Sequence, residues 1–295
     1  MPHLTVNGHR LFYVVDGDGP PVLLLHAGLG SLAEWRETLL GLAADHRVIA
    51  ADRWGYGHSD PRPAFEEGFF AADADEQAAL LDALGVEAAH VVGHSDGGTI
   101  ALWLARRHPT RVRSLLVEAA HVFSEAETLN ALRAYGPPDR WPGSLRRYLE
   151  RLHGVKAEAL GAAWLAHWTS DDMAVWDMRG ELPHIPQPTL IVQGSADPLS
   201  TPQQVAALEA GLPHATTWWV EGAGHTPHLE RPDDFNARLR AWLRERDADV
   251  RGQNCRGAVA APNGHQEEYQ RCPHRFRAWT PTSKARPSGP TSTII

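Results

Sequence analysis

The chain has 295 residues, 43% hydrophobic and 22% charged, the make-up of a globular protein with room for one large domain or a core plus a small insertion. A formal net charge of −8 argues against general nucleic-acid binding, and no apolar run reaches the roughly 18 residues needed to span a membrane. The two cysteines, Cys255 and Cys272, both fall late in the chain, so neither a core disulfide nor thiol catalysis is expected.

In chain order, Leu11-Phe12-Tyr13-Val14-Val15 reads as a strand, closed by the turn residues Asp16-Gly17-Asp18-Gly19-Pro20. Val22-Leu23-Leu24-Leu25 and Val48-Ile49-Ala50-Ala51 are short continuous apolar runs, as in strands buried on both faces. Helical spacing covers Trp35 to Leu42 and Asp75 to Leu84. Strand Val91-Val92, helix Thr99 to Arg107 and strand Val112 to Val117 follow. Later come strand Thr189 to Val192, helix Pro202 to Leu212, strand Thr216 to Val220, and an amphipathic helix Asp233 to Arg246 with Phe235, Leu239, Trp242 and Leu243 on its apolar side. This alternation predicts a mostly parallel central sheet with helices on both faces and ligands bound at the carboxyl ends of its strands.

Residues 121–186 break the rhythm. They are helix-like, lack strand signals and carry Trp141, Trp164, Trp168 and Trp176, which suggests a small helical cap inserted into a core made of residues 1–120 and 187–246. The tryptophans either hold the cap together or line a pocket beneath it. Residues 247–295 lose all periodicity and turn formally basic, and are expected to be a disordered tail. The first residues lack a basic stretch followed by an apolar segment, so a cytoplasmic location is expected.

Val91-Val92-Gly93-His94-Ser95-Asp96-Gly97-Gly98 carries the chemistry. A G-x-S-x-G sequence between a strand and a helix puts a serine on a tight turn where its neighbours two residues away have no room for side chains. The start of the following helix favours negative charge beside Ser95. A serine hydroxyl needs a base, and His225, in the loop Gly222-Ala223-Gly224-His225 after the last strand, is the candidate, with His228 as competitor. Asp197, just past the strand Thr189 to Val192, is the candidate orienting acid, with Glu118 as the alternative. The order Ser95, Asp197, His225 suits a strand-turn-helix elbow on such a sheet. For the oxyanion the candidate donors are the backbone N–H groups of Asp96 and of Gly28, in the loop His26-Ala27-Gly28-Leu29-Gly30. The His225/His228 spacing alone is weak metal evidence, and no metal or cofactor is expected.

With these residues in hand, His26-Ala27-Gly28, Asp52-Arg53-Trp54-Gly55-Tyr56-Gly57-His58-Ser59, the serine elbow, Gly194 to Pro198 and Gly222 to His225 together resemble the α/β-hydrolase superfamily over about residues 5–245. The Gly55 to Ser59 segment, the Phe69-Phe70 pair and Ser95-Asp96-Gly97-Gly98 look like its valacyclovirase (biphenyl-hydrolase-like) branch, although His94 stands where that branch tends to have Trp. The resemblance implies a cofactor-free serine esterase acting on a small-molecule ester through an acyl-enzyme, and a preference for α-amino-acid esters with Asp96 pairing the substrate ammonium. Asp96 could instead pair with an arginine or cap the helix beginning at Gly97. Trp168 and Trp176 are the candidate pocket residues of the cap. The same machinery would serve an aminopeptidase, a C–C bond hydrolase or a cofactor-free haloperoxidase, and a non-catalytic ligand receptor is the rival of a different class.

Overall fold

The structure, a computed structural model, describes residues 2–257. Its sheet begins with a hairpin, β1 (His3–Val6) and β2 (His9–Asp16), joined by Asn7-Gly8 with both residues at positive φ, +50° and +88°. That is the two-residue turn whose twist matches antiparallel strands. The strand read at Leu11 to Val15 is the middle of β2. Then come β3 (Pro21–Leu25), helix α1 (Arg36–Leu42) and β4 (Arg47–Ala51). They are followed by α2 (Phe69–Ala83), β5 (Ala89–His94), α3 (Asp96–Arg107) and β6 (Val112–Glu118). Helices α4 (Ala126–Tyr135), α5 (Gly143–His153), α6 (Ala157–Trp168) and α7 (Asp171–Ala174) precede β7 (Thr189–Gly194). The chain continues with α8 (Pro202–Gly211), β8 (Ala215–Val220), α9 (Pro227–Glu230) and α10 (Pro232–Gly257).

The eight strands lie in the order β1-β2-β4-β3-β5-β6-β7-β8. β2 pairs antiparallel with both neighbours, and β4 through β8 pair in parallel. The expected mostly parallel sheet is therefore present. Because the chain steps from β3 out to β4 and back to β5, the loops after β3 and β5 open side by side at one carboxyl edge, the place where such sheets leave a crevice.

Alternation along the strands supplies the two cores. Val22, Leu24, Val48, Ala50, Val92, Leu116, Leu190 and Val192 pack with Trp35 and with Phe235, Leu239, Trp242 and Leu243, the expected apolar side of α10. Leu23, Ile49, Val91, Leu115 and Ile191, between them in sequence, are equally buried and face the other way, where α3 and α2 pack. Helix α2 starts six residues before the expected Asp75. Its first turns bury Phe69, Phe70 and Asp73, and the hidden acid, held by Arg53 at 2.8 Å and Arg62 at 2.6 Å, masks the apolar pattern.

Residues 121–186 contain α4 to α7 and 3-10 turns but add no strand to the sheet. The two ends of this insertion run together: Met178 donates to the Val122 carbonyl at 2.8 Å and Ser124 to that of Trp176 at 2.9 Å. The chain up to Asp247 forms one compact unit, this segment included. The tail expectation is corrected for residues 247–257, which continue α10, with no proline between Pro232 and Pro262 to stop the helix. Residues 258–295 lie outside the described residues. No described helix is long and apolar enough to cross a membrane.

Candidate active site

Ser95 sits between β5 and α3 with φ +52° and ψ −119°, a strained conformation for a residue with a side chain. The turn is possible because its neighbours are bare. A Cβ on Gly93 would lie 2.2 Å from the Gly97 carbonyl oxygen, and one on Gly97 would lie 2.2 Å from that of Leu25. The Ser95 amide donates to the Glu118 carbonyl at 2.8 Å, and its own carbonyl accepts from Gly98 and Thr99. The first amides of α3, Asp96 among them, have no partner within a helix and face the region of Ser95. The loop after β3 approaches the same place. A Cβ on Gly28 would come within 2.5 Å of both Asp96 Oδ2 and the Trp164 indole nitrogen.

Asp197 and His225 meet. His225 Nδ1 lies 2.9 and 3.0 Å from the two carboxylate oxygens of Asp197. Asp197 also accepts from the amides of Leu199 and Ser200 and from the Gln193 side chain. Burial alone would push this carboxyl up, but the His225 charge and hydrogen bond and the two amides outweigh it and hold it at about 2. With Nδ1 on the carboxylate, Nε2 of His225 is left to accept a proton. His225 is fixed on a second side: His94, immediately before Ser95, donates from Nε2 to its carbonyl oxygen at 2.9 Å.

The rival acid and rival base partner each other. His228 Nδ1 lies 2.7 Å from Glu118 Oε2, and the His228 amide donates to Glu118 Oε1 at 2.8 Å. His228 is 2% exposed and stacks on Trp35 at 4.3 Å.

Asp96 is buried, and neither of the simpler expectations for it holds. Ser95 occupies the cap position of α3, and the nearby Arg53 bonds to Asp73 and the Ala27 carbonyl and acts on Asp96 through its charge, without a hydrogen bond to it. Asp96 Oδ2 instead accepts from the Trp164 indole N–H at 2.8 Å, while Oδ1 has no partner among the described residues. Trp164 is thus the residue that the sequence left undistinguished among the cap tryptophans. Trp141 is glue, bonded to the Gly136 carbonyl and packed where Gly161 leaves space. Trp168 is buried, with ring centroids 6.0 Å from Trp164, 5.5 Å from His121 and 5.9 Å from Phe70. Trp176, half-buried, lies 5.2 Å from Phe70. His121 is in turn 6.3 Å from His225, so an unbroken aromatic series runs from that histidine to the cap.

His153, unmarked in the sequence, ties α5 to the loops of the core. Its Nδ1 accepts from the Gly57 amide at 2.9 Å and its Nε2 donates to the Leu29 carbonyl at 3.1 Å. Among the described residues, Glu34, His94 and His228 form a group whose possible metal-ligand atoms lie within 4.8 Å of one another. Within it His94 faces Glu34 through Nδ1, and its Nε2 is held by the His225 carbonyl.

A family model described as alpha/beta hydrolase fold matches residues 20–159. RutD of Azorhizobium caulinodans, which carries a carbamate-hydrolase designation, is 31% identical over 84% of this chain and all of that one. The human serine hydrolase BPHL is 29% identical over 79% of this chain and 82% of its own. Among solved structures, the meta-cleavage product hydrolase CumD of Pseudomonas fluorescens IP01 superposes with a TM-score of 0.69 at 24% identity, covering 83% of this chain and 98% of that one. At that identity it speaks for the fold alone.

Proposed function

Because the chain belongs to the alpha/beta hydrolase family, we propose that it is a serine hydrolase that cleaves small carboxylic esters through an acyl-enzyme, with a preference for α-amino-acid esters. Ser95 Oγ attacks the ester carbonyl as its proton passes to His225 Nε2. Asp197 holds the imidazole in the accepting tautomer and balances the imidazolium that forms. The amides of Gly28 and Asp96 receive the oxyanion. His225 then returns the proton to the departing alkoxide, and water attacks the acyl group by the same steps in reverse.

The observation that carries this reading is the double anchoring of His225. Its ring is fixed by the Asp197 carboxylate at 2.9 Å, and its backbone is fixed at 2.9 Å to the residue next to Ser95. For the amine preference, the support is the unpartnered, buried Oδ1 of Asp96. A buried carboxylate oxygen without a donor is costly, and a substrate ammonium supplies the missing donor. Trp168 and Trp176 are proposed to line the side of the pocket that takes the rest of the substrate.

The test is turnover of p-nitrophenyl acetate and of paired α-amino-acid and des-amino esters. Wild type should turn over all three, Ser95→Ala none, and Asp96→Asn should lose the preference for the amine while keeping the des-amino rate. Turnover that survives Ser95→Ala would overturn the mechanism. An amine preference that survives Asp96→Asn would overturn the role of Asp96.

A further inference from the structure

Two histidine–carboxylate pairs stand side by side at the carboxyl edge of the sheet, and a third histidine lies between them. The His94 ring is 5.1 Å from that of His225, the partner of Asp197, and 4.9 Å from that of His228, the partner of Glu118. It is 2% exposed. Its two nitrogens face only acceptors: Nε2 meets the His225 carbonyl at 2.9 Å and Nδ1 meets Glu34 Oε1 at 3.4 Å. A carbonyl and an ionised carboxylate can each accept but not donate, so both ring nitrogens must carry hydrogen and the ring is an imidazolium. Glu34 is itself anchored, accepting from the Ala27 amide at 2.9 Å in the loop that carries Gly28.

We propose that His94 is a positioning residue for His225, holding its backbone in register with Ser95 and placing a fixed positive charge beside its ring. This rests on the serine-hydrolase reading above. The backbone bond fixes where the His225 loop sits. The charge stands about 5 Å from the His225 ring and favours negative charge developing at the neighbouring serine.

The surrounding groups agree. Glu34, from the 3-10 turn before α1, and Glu118, at the end of β6, supply the negative charge that His94 balances. His228 of α9 and His26 of the β3 loop also act on Glu34. His225 faces Asp197, His121 and His94. Burial alone would lower His94, but the Glu34 bond, the charges of Glu118 and Glu34 and the His225 carbonyl outweigh it and raise it to about 9.

Two substitutions separate the bond from the charge. His94→Gln retains an N–H able to reach the His225 carbonyl but carries no charge, whereas His94→Ala removes both. On p-nitrophenyl acetate, His94→Gln should lower the plateau of kcat/KM by about threefold, since it keeps the bond and loses the charge. His94→Ala should lower the plateau by about tenfold or more. A His94→Gln plateau equal to that of wild type, or an undiminished plateau in His94→Ala, overturns the proposal. A folding-independent check uses the wild-type protein labelled with 15N-histidine. At pH 7.5 (a condition about one unit above the free imidazole value) one ring should show both nitrogens protonated, and Glu34→Gln should abolish that signal at the same pH. A wild-type spectrum without a doubly protonated ring overturns the charge assignment whether or not the protein proves to be an esterase. Loss of the serine mechanism, by contrast, is read from Ser95→Ala alone.

Discussion

The indole of Trp164 donates to Asp96 Oδ2 at 2.8 Å while Asp96 Oδ1, buried beside it, has no partner among the described residues. A helix of the 121–186 segment therefore orients the acid next to the serine and leaves one of its oxygens for something else. Trp164→Phe keeps the ring and removes the donor. The carboxylate can then rotate, and a polar group that loses its only donor costs about 1–3 kcal/mol. The expected outcome is roughly a tenfold fall in kcat/KM for an α-amino-acid ester and less than a threefold fall for its des-amino analogue, a difference of the size one charge-assisted hydrogen bond supplies. Equal falls on both substrates would mean that Trp164 only shapes the cap.

Asp197 is held at about 2 although it is buried, because His225 and two amides outweigh desolvation. It is thus ionised throughout the working range. Asp197→Asn preserves the shape but cannot balance an imidazolium, and it favours the wrong tautomer. The expected loss in kcat is about 10³–10⁴-fold with KM little changed. The same shift fixes the sign of a stability effect. A carboxyl depressed in the folded state stabilises the fold fully above its unfolded value near 4, and that contribution, about 2 kcal/mol, is lost as pH falls toward 2. Urea unfolding of wild type and Asp197→Asn at pH 7 and pH 3 checks it: the gap between them should shrink at the lower pH.

The sheet and the candidate catalytic residues were legible because each is announced locally. Gly93 and Gly97 bracket Ser95, and Asp197 and His225 each follow a strand within a few residues. The partners that fix these groups were not legible. Trp164 and His153 reach the core from a helical segment with no motif of its own, and Glu34 meets His94 across 60 residues of sequence. Glu118 and His228 each looked like a rival to a candidate catalytic residue, because sequence shows which side chains reach an edge but not which of them pair there. Asn7-Gly8 was a readable hairpin signal that the first-strand reading passed over. The start of α2 was hidden for a physical reason: Asp73, Glu76 and Gln77 are all buried, so polarity there does not mark the solvent side.

Glu76 gives a prediction about stability alone. Burial, and then the charge of Asp73, push its carboxyl up to about 8, against only a 3.4 Å amide contact from Trp54 and the charges of Arg62 and Arg53. A carboxyl raised in the folded state is a cost that grows as pH rises above its unfolded value near 4.5 and levels off above 8. Glu76→Gln removes the titration and keeps the shape. The variant should match wild type near pH 4.5 and exceed it by about 2–4 kcal/mol at pH 8.5. Chemical denaturation at the two pH values would show this, and a wild type that is the more stable of the two at pH 8.5 would refute the assignment.

The elbow makes the sharpest steric prediction. A methyl group on Gly97 would stand 2.2 Å from the Leu25 carbonyl oxygen and 2.7 Å from that of His26. Both are backbone atoms of β3 and the loop that bears Gly28, so no side-chain rotation can relieve the clash. Either α3 moves away from β3, displacing the Asp96 amide from Ser95, or the loop that bears Gly28 shifts. Gly97→Ala should therefore cost about 3 kcal/mol or more in stability and, in whatever fraction folds, lower kcat by at least about 10²-fold through the displaced oxyanion donors. Gly180→Ala is the matched control, since a methyl there meets nothing within 4 Å and should change stability by less than about 0.5 kcal/mol. Thermal melts and ester turnover of the two variants together decide the point: a Gly97→Ala protein as stable and as active as Gly180→Ala would mean that Gly97 does not hold α3 against β3 in the way the contact distances require.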